Sequence, residues 1–142
     1  MALGLYLNFA GNCREAVEFY AETFGQSKPK YMTFGDMPAD PAYTVPEANK
    51  NLVMNTALTI RGTQVMFSDM PPEMPINVGN NVSIVIVSTD KDDIKNLFQK
   101  LGEGGTIEME LQKTFWSECY GMLTDRFGIN WQLSYDDGKM MA

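Results

Sequence analysis

The same order of predicted elements, namely one strand, one helix and three strands, occurs twice in this chain of 142 residues. Apolar side chains spaced three and four residues apart predict a helix over residues 13–24 and another over residues 90–101. Each predicted helix follows one strand and precedes three more. The two apolar stripes align at a lag of 78 residues, so that Ala16 matches Ile94. A chain with this repeat is expected to fold as two related βαβββ units.

The strands are predicted from the alternation of apolar and polar side chains. They fall at residues 3–9, 30–35, 53–60 and 63–69 in the first half, and at residues 81–88, 106–112, 119–124 and 129–135 in the second. A tight turn at Arg61-Gly62 joins two of them into a hairpin, because glycine supplies the positive φ that such a turn needs. Asn12 and Gly25 are expected to cap the ends of the first helix.

Two proline-rich segments interrupt this order. Residues 36–52 contain three prolines and are expected to be a surface insertion in the first half, as an interface arm or a lid. Residues 70–80 contain three more and are expected to be a linker. We therefore predict one α+β domain over residues 1–142, in which the halves 1–69 and 81–137 form two curled mixed sheets around a cleft, with both helices outside.

The composition excludes several kinds of chemistry. The chain has no histidine and only two cysteines, Cys13 and Cys119, neither in a CxxC pair. Ser-His-Asp and Cys-His catalysis are therefore excluded, as are zinc sites built from histidine or paired cysteine. We expect no metal site and no cofactor, and we assign no catalytic residue.

The charge and the apolar runs constrain the partners. A net charge of -7 disfavours nucleic acid, whose phosphates need clustered lysine and arginine. No apolar run has the length of a membrane span, and the amino terminus lacks the basic start of a signal peptide. The expectation is a cytoplasmic protein with reduced thiols and no membrane partner.

Alternation also predicts which side chains line the cleft, because successive residues of a strand point to opposite faces. The candidate ligand-binding residues on the faces away from the helices, together with one loop tryptophan, are Tyr6, Asn55, Met66, Ser68, Ser83, Trp116, Tyr120 and Gln132. Such a surface suits an uncharged or weakly polar small ligand. The same polar faces are alternatively open to solvent, and Trp116 alternatively packs against another subunit.

The chain also resembles a known family. The opening YLNFAGNCREAVEFYAETFG and the closing LQKTFWSECYGMLTDRFGINWQL are similar to the PhnB-like branch of the vicinal oxygen chelate superfamily. That superfamily includes glyoxalase I, bleomycin-resistance proteins and extradiol dioxygenases, and PhnB-like proteins are also described as demethylubiquinone methyltransferase-like. The resemblance implies a homodimer.

The resemblance further implies where a divalent metal would be held in metal-dependent members. The matching positions here are Leu5 or Tyr6, Met66 or Phe67, Asn81 or Ser83, and Gln132, where relatives carry Glu; relatives often carry His where this chain has Asn55. One amide among four expected ligands is not a metal site.

Three hypotheses follow. The first is a metal-free protein that binds a small organic molecule in the cleft. The second is a lyase, isomerase or dioxygenase that uses a weak divalent metal site around Gln132. The third is a structural or regulatory dimer without a ligand. A methyltransferase is disfavoured because no glycine-rich strand-to-helix loop is followed by an acidic residue.

Overall fold

The structure, a computed structural model, describes residues 2–138 and contains two four-stranded sheets and two α-helices within that range. Residues 1 and 139–142 of the predicted domain lie outside the described part. The chain divides into two compact units, of which unit 1 ends at Asn77 and unit 2 begins at Val78.

Unit 1 has one helix and four strands. They are β1 (Leu5–Phe9), α1 (Cys13–Thr23), β2 (Met32–Thr33), β3 (Val53–Ile60) and β4 (Thr63–Asp69). The strand order in the sheet is β1-β4-β3-β2, and only the β1–β4 pair is parallel.

Unit 2 repeats this plan. Its elements are β5 (Ile84–Ser88), α2 (Lys91–Gly102), β6 (Thr106–Gln112), β7 (Tyr120–Thr124) and β8 (Asn130–Tyr135). The strand order is β5-β8-β7-β6, and β5 and β8 are parallel. The prediction of an α+β fold built from duplicated βαβββ units is therefore confirmed.

Helix α1 ends as the sequence predicts but begins differently. Gly25 has a φ of 66°, and the N–H groups of Gly25 and Gln26 donate to carbonyls in the last turn, which is a Schellman ending. Asn12 holds the N-cap position, yet its side chain makes no capping hydrogen bond. The Asp69 carboxylate at the end of β4 accepts from the Cys13 N–H instead, at 2.9 Å.

Helix α2 follows its prediction along its length. The Asp90 side chain accepts from the N–H groups of Asp92 and Asp93, which caps the amino terminus. All four residues of the predicted apolar stripe are buried, namely Ile94, Leu97, Phe98 and Leu101. They pack against one face of the unit 2 sheet, where Leu123, Trp131 and Leu133 are also buried.

Two predicted strands differ most from their expected bounds. The strand predicted over residues 30–35 pairs only at Met32–Thr33. The chain then enters a 3-10 turn at Phe34–Asp36, in which the Asp36 side chain accepts from the Thr33 N–H. The strand predicted over residues 81–88 begins at Ile84, its first residue in register with β8.

The hairpin between β3 and β4 has the predicted turn. Arg61 and Gly62 have φ values of 51° and 85°, as a two-residue type I′ turn requires. Residues 36–52 form a mostly exposed excursion with one short 3-10 turn, Glu47–Asn49. No helix within residues 2–138 has the length and apolar character needed to cross a membrane.

Candidate functional site

In unit 1, four of the predicted ligand-binding residues lie on one face of the sheet. The opposite face packs on α1, since the Tyr20 ring lies 5.9 Å from the Phe67 ring. Alternation therefore places Met66 and Ser68 on the face away from the helix. Register adds their neighbours: Tyr6 pairs with Met66, and Asn8 pairs with Ser68.

Hydrogen bonds connect the polar groups of this face in two clusters. The Ser68 hydroxyl donates to Asn8 Oδ1 at 2.8 Å. The Asn55 amide donates to the Tyr6 hydroxyl at 3.2 Å, and that hydroxyl donates to the Met54 carbonyl at 3.4 Å. We call the side chains of Tyr6, Asn8, Asn55, Met66 and Ser68 the unit 1 polar face. All of its side chains are uncharged.

In unit 2, three predicted residues form a continuous hydrogen-bonded chain. The Tyr120 hydroxyl donates to Gln132 Oε1, and Gln132 Nε2 donates to the Ser83 hydroxyl at 2.9 Å. Gln132 lies between Trp131 and Leu133, which are buried toward α2, so its own side chain points to the other face. We call Tyr120, Gln132 and Ser83 the unit 2 polar chain.

Trp116 borders this chain through an aromatic contact. Its ring meets the Tyr120 ring edge to face, with the centroids 5.2 Å apart. Tyr120 is buried, and burial raises the pKa of its hydroxyl, which is already protonated at neutral pH and can act as a donor. The arrangement offers a flat aromatic wall beside neutral hydrogen-bonding groups.

The positions that the resemblance associates with a metal do not fit a divalent ion. Tyr6, Met66, Ser83 and Gln132 supply no carboxylate or imidazole. The Gln132 oxygen already accepts from Tyr120. Among residues 2–138, no group of three His, Cys, Asp or Glu side chains is placed to hold a metal ion. A hydrated divalent cation needs several anionic or imidazole ligands, and these residues do not provide them.

Sequence reasoning missed the role of Asp69. This buried carboxylate accepts from the N–H groups of Gly11, Cys13 and Val53, at 3.0, 2.9 and 2.9 Å. It fixes the β1–α1 turn and the start of β3, and thereby the strands that carry the unit 1 polar face. No local sequence signal identified it, because its three donors come from segments that are far apart in the sequence.

The thiol of Cys13 is fully buried and stays protonated at neutral pH. Its position at a helix amino terminus would ordinarily lower the pKa. Here burial, reinforced by the negative charge of Asp69, raises the pKa to about 12. The interpretation of Cys13 as a small packing residue agrees with this environment.

The fold is shared with proteins of the vicinal oxygen chelate superfamily. Among them is the fosfomycin resistance protein FosX from Listeria monocytogenes, with a TM-score of 0.60 over 98% of this chain and 92% of FosX. At 8% identity, that likeness is one of fold alone. A family model described as 3-demethylubiquinone-9 3-methyltransferase matches residues 2–134, and the chain belongs to that PhnB-like family.

Several similar proteins match nearly the whole chain. Protein YjdN of Escherichia coli (strain K12) is 32% identical over 140 residues, covering 94% of this chain and 95% of YjdN. The crystal structure of protein PA1353 from Pseudomonas aeruginosa has a TM-score of 0.80 at 33% identity, covering 95% of this chain and 98% of PA1353. The PhnB protein from Bacillus cereus has a TM-score of 0.73 at 23% identity, covering 96% and 100%.

Proposed function

We propose that this protein binds an uncharged small organic molecule on its polar sheet faces, without a resident metal ion. The observation that carries the proposal is the unit 2 polar chain, in which Tyr120, Gln132 and Ser83 are joined by hydrogen bonds beside the Trp116 ring. The enclosure of these faces around a cleft stays a prediction from the sequence.

The direction of the hydrogen bonds defines what the polar chain offers. Both ends of the Gln132 amide are engaged, so its orientation is fixed. Ser83 accepts from this amide, which leaves its own hydroxyl hydrogen to donate to a bound molecule. A ligand with a carbonyl or ether oxygen and a flat ring would therefore meet a donor and an aromatic wall held in place beforehand.

The unit 1 polar face favours the same ligand class. All side chains of this face are neutral, and so are those of Ala57, Thr59 and Gln64, which alternation places beside them. A charged ligand that loses water on binding needs an opposite charge, and this face supplies none. An uncharged ligand loses less on leaving water and can use the amide and hydroxyl groups.

A methyltransferase function is not part of the proposal, although the family description contains that word. In nucleotide-type cofactor sites, the turn between a strand and a helix presents free N–H groups. Here the N–H groups of Gly11 and Cys13 before α1 donate to Asp69. Those at the start of α2 donate to Asp90. Calorimetry with S-adenosylmethionine is expected to give no binding heat.

A thermal-shift screen tests the proposal, with neutral aromatic carbonyl compounds in one arm and nickel, zinc and manganese in the other. A compound of the first arm should raise the melting temperature, and Gln132→Ala should abolish that rise. Gln26→Ala is the matched control, because Gln26 is exposed in the loop after α1 and the substitution should leave the rise intact.

A large and specific stabilisation by a divalent metal that disappears in Gln132→Ala would overturn the proposal. Stoichiometric metal in the purified protein would do the same and would favour a metal-dependent lyase, isomerase or dioxygenase. Stabilisation by neutral compounds that survives Gln132→Ala would place binding elsewhere on the molecule.

A further inference from the structure

A cavity of about 290 Å³ lies in unit 2, between the β6–β7 loop and the end of β8. We call it the loop cavity. Three aromatic side chains line it, namely Phe115, Trp116 and Tyr135. Phe115 is 97% exposed and Trp116 is 44% exposed, so their rings are accessible to a molecule from solution. Of the residues predicted to bind a ligand, Trp116 alone borders this cavity, which is therefore distinct from the unit 2 polar chain.

Hydrogen bonds fix the walls of the loop cavity relative to each other. The Thr114 N–H donates to the Ser117 carbonyl at 2.8 Å, and the Ser117 N–H donates to Thr114 Oγ1 at 3.1 Å. The buried Ser117 hydroxyl donates to the Tyr135 carbonyl at 2.7 Å, which ties the loop to the end of β8. The Phe115 and Trp116 rings meet edge to face with centroids 4.8 Å apart. The rings are thus held in place before a ligand binds, which lowers the entropy lost on binding.

The charges around the loop cavity are mainly negative. The carboxylates of Glu118, Asp136 and Asp137 line it, together with the ammonium group of Lys113. Lys91 lies beside the cavity and pairs with Glu118 at 2.6 Å. These three carboxylates and two ammonium groups leave one negative charge at the site, counted over the described residues. That charge attracts a cation and repels an anion.

The position of Lys91 indicates that this surface stabilises an ammonium group. Its Nζ atom pairs with Glu118 and lies 5.1 Å from the centroid of the Tyr135 ring. The hydrogen bond with Glu118 raises the pKa of Lys91, so the surroundings favour the positively charged form. Aromatic ring faces are also the groups that recognise alkylammonium ligands in proteins. Two more rings and two more carboxylates line the same cavity.

We infer that the loop cavity binds a small organic cation of the alkylammonium class, through its aromatic rings and carboxylates. Its volume is at the lower limit for small-molecule sites, which suits a ligand of few atoms. A metal ion does not fit, because no three His, Cys, Asp or Glu side chains within residues 2–138 are placed to hold one. The inference does not depend on the proposed function, since the uncharged ligand proposed above uses the unit 2 polar chain.

Titration calorimetry of the full chain with two probes tests the inference. The first probe is choline, and the second is its uncharged carbon isostere, in which a tert-butyl group replaces the trimethylammonium group. The two have the same shape, so a difference between them reports on charge. Choline should bind, and its affinity should fall as the salt concentration rises. The uncharged isostere should bind about tenfold more weakly.

Substitutions at the loop cavity separate the contribution of the rings from that of the carboxylates. Phe115→Leu keeps an apolar side chain but removes a ring, and should weaken choline binding by about two- to fivefold. Phe115→Tyr keeps the ring and should bind choline as the wild type does. Asp136→Asn removes a charge but keeps an oxygen that can accept from the Gly138 N–H, and should also weaken choline binding by about two- to fivefold.

Two controls lie outside the loop cavity. Asp40→Asn makes the same change of net charge in the unit 1 excursion and should leave choline binding unchanged. Gln132→Ala disrupts the unit 2 polar chain and should also leave it unchanged, which separates this test from that of the proposed function. Absence of choline binding, equal affinity for the uncharged isostere, an unchanged affinity in Phe115→Leu or Asp136→Asn, or a loss in either control would each overturn the inference.

Discussion

Replacing Asp69 with alanine is expected to destabilise unit 1 by about 4 kcal/mol. The carboxylate accepts three backbone hydrogen bonds of 2.9 to 3.0 Å, from Gly11, Cys13 and Val53. Two of these contacts, with Cys13 and Val53, are buried. A hydrogen bond to a charged group contributes about 1.5–3 kcal/mol, and a buried donor left without a partner keeps its desolvation cost. Two such losses give the expected value.

Asp69→Asn should cost about half as much. The amide keeps one oxygen, which can still accept from Gly11 and Cys13, while its NH₂ group faces the Val53 N–H. Only one buried hydrogen bond is then lost, which corresponds to about 2 kcal/mol. Asp36→Ala is the matched control, because Asp36 accepts a similar bond of 3.0 Å from the Thr33 N–H at an exposed turn. It should change stability far less.

Urea denaturation with two probes provides the assay. Both tryptophans, Trp116 and Trp131, are in unit 2, so their fluorescence reports on that unit. Circular dichroism reports on both helices. In Asp69→Ala the dichroism transition should move to lower urea. A loss below about 1 kcal/mol for Asp69→Ala, or equal losses for Asp69→Ala and Asp36→Ala, would refute the role assigned to the buried carboxylate.

Three further predictions concern other parts of the molecule. Gly121→Ala should lower stability by about 1–3 kcal/mol, since a Cβ there would lie 2.7 Å from the Phe98 ring, whereas Gly79→Ala, with its nearest atom at 3.7 Å, should be neutral in thermal melts. Burial raises the pKa of Cys13 from 9.0 to about 12, so the contribution of this thiol to stability should be constant below pH 9 and be lost between pH 9 and 12, and Cys13→Ala should reduce the fall of stability over that range in urea titrations. Tyr120→Phe removes the donor that fixes the Gln132 amide and should weaken ligand binding in calorimetry with little change in melting temperature.

Local sequence patterns predicted most of the helices and strands, because the spacing of apolar side chains that identifies each element lies within that element. The α2 stripe and the Arg61-Gly62 turn both depend on residues close in sequence, and both are confirmed. The strand expected at residues 30–35 was too long because hydrogen bonds from Phe34 and Gly35 to a distant segment redirect the chain. Hydrogen bonds between residues this far apart in sequence produce no periodic pattern that a sequence analysis can detect.

The sequence predicted which sheet face each candidate site residue occupies, but it did not predict the hydrogen bonds between those residues. Alternation grouped Tyr6 with Met66 and Gln132 with Tyr120, and the structure brings each pair together within its unit. The sequence could not reveal that the Gln132 oxygen is already engaged, because that bond depends on the register of β7 against β8. It also could not distinguish Asp69 from an exposed acidic residue, since its three donors come from separate segments.

The connections between the second and third strands occupy corresponding places in the duplicated plan, at residues 34–52 in unit 1 and residues 113–119 in unit 2. They differ in length and in chemistry: the first contains three prolines and the second presents the exposed rings of Phe115 and Trp116. The sheet and helix of each unit are maintained by their own cores, so the same architecture accommodates unlike surface loops at equivalent positions.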